Sequence, residues 1–155
     1  MRLTLIVGFI TCILFYSACG PKTPDGCDEA RAFFNLPSGE QLPEFRNLSA
    51  EKQLEYVICD YRYTHPFSVT FVRILAQRGD EVIPLLAEKI KTERDANNLE
   101  AVIYVLEIMF KDGTVKNKGT ALQQIRQATV EMKCDSSKER CNERWKDIDR
   151  ILASQ

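Results

Sequence analysis

Histidine is nearly absent from this 155-residue chain, where His65 is the only one, and the six cysteines include no C-x-x-C pair. Neither a Cys/His zinc site nor a dithiol redox motif can be assembled from such spacing. The signatures G-x-S-x-G and H-E-x-x-H are missing, as are phosphate-cradling glycine loops and calcium-loop spacings. With them go the hydrolases, zinc peptidases and phosphate-loop enzymes that those patterns encode. A basic excess is lacking as well: 21 Lys and Arg stand against 22 Asp and Glu, for a net charge of −1. Nucleic-acid domains carry a clustered basic surplus, so nucleic acid is not expected as a partner. Beyond residue 25 there is neither strand-like alternation nor an apolar run long enough to span a bilayer.

What the chain does have is enough apolar material for one core, at 45% hydrophobic and 28% charged residues. It also has an apolar leader, Leu3–Ala18, behind a single basic residue, Arg2. The leader is short of the roughly 20 residues of a spanning helix and suits an export signal. Its end, Tyr16-Ser17-Ala18-Cys19-Gly20, resembles the lipobox of bacterial lipoprotein precursors, in which small residues precede a cysteine that becomes the lipidated first residue. Ser17, Ala18 and Cys19 match, whereas Tyr16 stands where that family has an aliphatic residue. An ordinary cleaved secretion signal and an uncleaved anchor are the alternatives.

The resemblance implies a signal peptide over 1–18, a lipidated tether over 19–26 and a domain over 27–155, held on the membrane through Cys19. With Gly20 rather than aspartate next, it also implies an outer-membrane address facing the periplasm if the organism is diderm. Pro21 and Pro24 stiffen the tether.

Within the domain the apolar residues recur at three- and four-residue spacing, which predicts an all-α fold of about five helices plus one short one. The short helix covers Asp28–Phe34, and a polar stretch marked by Pro43 follows it. Ser49 is an N-cap candidate for a helix presenting Leu54, Val57, Ile58 and Tyr61. Pro66 starts the next helix and Gly79 stops it. Asp80 is the expected cap of "EVIPLLAEKIK", Asn97 with Glu100 that of the apolar helix ending at Gly113, and Thr120 with Gln123 repeats the device. The stripe Cys141, Trp145, Ile148 and Leu152 closes the chain.

A weak internal echo aligns Val69, Phe71, Val72, Ile74 and Leu75 with Ile103, Val105, Leu106, Ile108 and Met109. Together with Asp80, Pro84 and the Val82/Ile83/Leu85/Leu86 run, the segment 66–113 resembles HEAT-type helical repeats. A short helical-repeat array and a compact helical bundle are therefore the two architectures expected.

Four cysteines remain in the domain. They can pair in three ways; Cys134 and Cys141 flank a predicted corner, which favours 134–141 and hence Cys27 with Cys59. These are structural disulfides of an oxidising compartment rather than metal ligands. His65 lacks the orienting acid and nucleophile of a catalytic site and reads as a helix-boundary residue. No enzyme activity, metal or cofactor is expected.

Two surfaces are candidates for binding. One is the string Asp60 to Phe67, with Tyr61, Arg62 and Tyr63 as partner-binding residues. The other is the lysine-bearing loop 111–118. The expected function is a lipid-anchored, non-catalytic helical binding or assembly module of the cell envelope, engaging an envelope protein partner. The alternatives are a small pilot- or immunity-type lipoprotein and a cell-wall-acting enzyme with an unrecognised carboxylate pair.

Overall fold

A computed structural model of the chain describes residues 26–64, 66–132 and 138–155. The expectations for residues 1–25, His65, Cys134 and the Cys141 side chain lie outside the described residues. Those residues form α1 (Asp28–Phe34), α2 (Ser38–Asn47), α3 (Ala50–Tyr63), α4 (Val69–Ala76), a 3-10 turn (Gly79–Glu81), α5 (Ile83–Thr92), α6 (Ala96–Lys111), α7 (Lys118–Glu131) and α8 (Lys138–Ala153). The fold is all-α, with no strand among the described residues.

Helix α3 begins as its sequence predicts, with the Ser49 hydroxyl accepting from the Lys52 N–H at 3.2 Å. Four other starts differ from the expected ones. Asp80 does not cap α5; its carboxylate accepts the backbone N–H of Lys116 at 3.0 Å and of Asn117 at 3.2 Å, across the molecule. Asp95 opens α6 by accepting from the Asn97 N–H at 2.8 Å, so Asn97 lies inside the helix. Asn117 opens α7 by accepting from the Thr120 N–H. In both cases a short Asx side chain already in position takes the first free N–H groups, so the residue downstream is not needed as a cap.

Helix α4 starts at Val69 rather than Pro66. The Asp60 carboxylate accepts the Ser68 N–H at 2.6 Å, and Ser68, the residue before the helix, is extended.

Helix α2 has no counterpart in the apolar spacing. It contains Pro43, and Phe45 is its one buried residue. Tertiary contacts hold it instead. The Phe45 ring lies 4.6 Å from Phe71 and 6.0 Å from Phe33, centroid to centroid. The Phe45 carbonyl, which takes the Leu48 N–H, also accepts from Gln53 Nε2 at 2.6 Å, and the carbonyl of the flanking Leu48 accepts from Arg78 Nη2 at 2.5 Å. Arg78 Nε also donates to Gln53 Oε1 at 2.9 Å, so the buried glutamine is satisfied on both sides.

The core centres on α6, which packs against α3, α4, α5 and α8. Its Leu99, Val102, Val105, Leu106 and Met109 are fully buried. Helix α5 packs on α7 and α6 on α8. Lys91 meets Glu131 at 3.6 Å, while Pro84 and Gln124 line the same groove a helix length away, so α5 and α7 run parallel. The same reasoning, from the Glu100–Arg144 pair and the shared wall of Glu107 and Ile151, makes α6 and α8 parallel.

Gly79 and Gly113, the two stops of the sequence echo, both adopt left-handed backbone with φ of +62° and +68°. The Gly79 corner also touches the next one, because a Cβ there would lie 2.6 Å from the Thr114 carbonyl oxygen.

Cys27 and Cys59 form a disulfide, with Cα atoms 5.8 Å apart, that ties the start of α1 to the middle of α3. In α8, Ile148 and Leu152 are buried as expected, but Trp145 is 43% exposed. Helix α8 packs chiefly on α6 and α7, and its buried stripe is narrower than its apolar one.

Candidate functional site

The last turn of α3 builds the most developed polar site. Asp60 turns inward, and its buried carboxylate accepts from the Ser68 N–H and the Thr64 hydroxyl. Burial raises its pKa above the usual carboxylate range, and these hydrogen bonds oppose that only in part. The anchored connection places Phe67 between two tyrosines: its ring is 4.7 Å from Tyr61 and 5.2 Å from Tyr104, edge-on to the latter. This three-ring wall joins α3 to α6.

From that wall a chain of charged groups runs across to α8. Tyr61 hydrogen-bonds to Glu100, and burial together with this bond pushes its phenol up to about 12. Glu100 Oε2 accepts from Arg144 Nη2 at 2.7 Å, and Arg144 Nη1 donates to Asp147 Oδ2 at 3.2 Å. The other Asp147 oxygen accepts from Arg150 Nη1 at 3.0 Å. The result is an open groove of about 270 Å³ whose floor includes Ile103 and Ile151. Glu100, Ile103, Tyr104 and Glu107 share one face of α6 at helical spacing, and Arg144, Asp147 and Ile151 answer them on α8. The buried Arg144 Nε has no hydrogen-bond partner among the described residues.

Tyr61, Arg62 and Tyr63 do not form one surface. Successive helical residues point about 100° apart, and the three side chains diverge accordingly. Tyr61 enters the groove just described. Arg62 pairs with Asp95 at 3.7 Å and lies along a second groove. Tyr63 is exposed, with the guanidinium groups of Arg31 and Arg62 at 5.9 and 5.5 Å from its ring centroid.

The second groove, about 450 Å³, lies beside the disulfide where the described chain begins at Gly26. Its Lys52 is held between Glu29 at 2.5 Å and Glu55 at 3.0 Å, and both bonds raise the ammonium pKa. That cation is thus committed to internal partners.

The loop after α6 is less open than its lysines imply. Val115 is buried, and the N–H groups of Lys116 and Asn117 are held by Asp80. No group of three His, Cys, Asp or Glu able to hold a metal ion occurs among the described residues. None of the described helices is long and apolar enough to cross a membrane.

Sequence reasoning reached Tyr61 but missed Glu100, Tyr104, Glu107, Arg144, Asp147 and Arg150. The available signal was the shared i, i+3, i+7 spacing of Glu100, Ile103 and Glu107 on α6 and of Arg144, Asp147 and Ile151 on α8. No protein-family model, curated protein or solved structure matches the chain.

Proposed function

We propose that the protein is a lipid-anchored, non-catalytic helical module of the bacterial cell envelope that holds a protein partner. The observation that carries the binding half is the α6–α8 groove, where Tyr61, Glu100, Arg144, Asp147 and Arg150 are fixed in one hydrogen-bonded series over an apolar floor. Fixed polar groups around an aliphatic seat recognise a shape and a charge pattern at little ordering cost, which is what a docking surface needs. The parallel pairing of α5 with α7 and of α6 with α8 supports the helical-repeat reading, since stacked repeats present such grooves between equivalent helices.

The address rests on Ser17-Ala18-Cys19 at the end of the leader. The Cys27–Cys59 disulfide lends support, because such bonds persist in oxidising compartments outside the cytosol. A multiply acylated Cys19 would bury many methylenes at about 0.8 kcal/mol each, enough for lasting attachment. Metabolic labelling with a fatty-acid analogue tests this half. Label is expected on the wild-type chain and not on Cys19→Ala, and undiminished label on the variant would overturn the address.

A further inference from the structure

The α6–α8 groove has one carboxylate left over. Glu100 and Asp147 are taken by Arg144 and Arg150. Glu107, one turn beyond Ile103 and Tyr104 on the same wall, has no ion-pair or hydrogen-bond partner among the described residues. The groove's charges are therefore three carboxylates against two guanidinium groups, a balance that repels an anion and favours a cation. Ile103 and Ile151 supply an apolar floor, which a bare inorganic cation does not need and an aliphatic stem does. About 270 Å³ is below the usual size of a whole small-molecule pocket and fits one long side chain with its own backbone.

We infer that this groove receives a lysine or arginine side chain of the partner protein: the cationic head against Glu107 and the methylenes on Ile103 and Ile151. The inference rests on the binding-module reading and gives it a chemistry: the partner segment that docks here is basic.

The test uses the full chain, isotope-labelled at isoleucine methyl groups, titrated with N-acetyl-lysine methylamide, its arginine counterpart and the uncharged norleucine counterpart. The Ile103 and Ile151 methyl signals should shift saturably, with the two cationic amides binding about fivefold tighter than norleucine, the scale of one exposed ion pair. Glu107 is exposed, so Glu107→Gln keeps the fold, and it should reduce that preference to within about twofold. Raising the salt concentration should shrink the preference in wild type and leave it unchanged in the variant. A preference untouched by Glu107→Gln, or the absence of any saturable shift at these two isoleucines, would overturn the inference. A chain that carries lipid on Cys19 and cross-links to a partner in the cell, yet ignores these amides, loses this inference alone.

Discussion

Asp60 does at the residue scale what no local pattern announces. It looks like one more acidic residue on a helix, yet its carboxylate is buried and fixes the connection that delivers Phe67 to the groove wall. Its native pKa is raised, so the folded state keeps the proton to higher pH than the unfolded chain does. The stabilisation that follows is fully present below the unfolded value of about 3.9 and is lost as pH rises through the native value. Asp60→Asn retains an acceptor for the Ser68 N–H without the charge. Urea midpoints measured from pH 4 to 7 should therefore show the Asn variant gaining on wild type as pH rises; parallel curves would contradict this. Gly79 and Gly113 give a second comparison at this scale. Both have positive φ, but only at Gly79 would a methyl group meet backbone, 2.6 Å from Thr114 O. Gly113→Ala should cost about 1 kcal/mol for the left-handed backbone alone. Gly79→Ala should cost about 3 kcal/mol, because the Thr114 corner must also move. Equal losses in denaturant titrations would show that the two corners do not touch.

Legibility is uneven among the elements, and the reason is where each helix draws its stability. Helices α3, α5 and α6 bury one broad side, so apolar spacing announces them; a small polar residue caps α3 and α6, whereas α5 follows Val82 without one. Helix α2 buries only Phe45 and is secured by Gln53 and by Arg78, the latter 30 residues beyond the carbonyl it holds. Nothing within its own ten residues encodes that. Pro43 reads as a turn for the same reason. Helix α1 has a short apolar face and a covalent tie to α3. Closing a loop with a sequence separation of 32 restricts the unfolded chain by on the order of 3–4 kcal/mol. The double variant Cys27→Ala/Cys59→Ala should lose stability of that order in urea titrations. Amide exchange should rise first in α1, and uniform loss of protection across α3 and α6 would argue instead that the bridge serves the whole core.

At the scale of the whole molecule, the all-α class was readable because periodicity survives in almost every segment, whereas the groove was not. Its walls come from α3, α6 and α8, and its central ion pair joins residues 44 positions apart. A sequence scan meets Glu100 and Arg144 as two ordinary solvated charges. Only the parallel stacking of α6 on α8 makes them neighbours, and that stacking is a tertiary outcome. The same distinction separates the two halves of the proposed function. The proposed address rests on the local run Ser17-Ala18-Cys19, and the proposed partner surface on residues brought together from distant positions.

A photo-cross-linking residue at position 104 in the living cell tests the proposed envelope binding surface between α6 and α8. The half-buried Tyr104 lines the groove, and exposed Glu51 on α3 serves as the control position. A discrete adduct from position 104 is expected in the membrane fraction. That adduct should be absent from position 51 and lost when Cys19→Ala prevents anchoring. Equal adducts from both positions, or none from position 104 while the protein is membrane-bound, would contradict it.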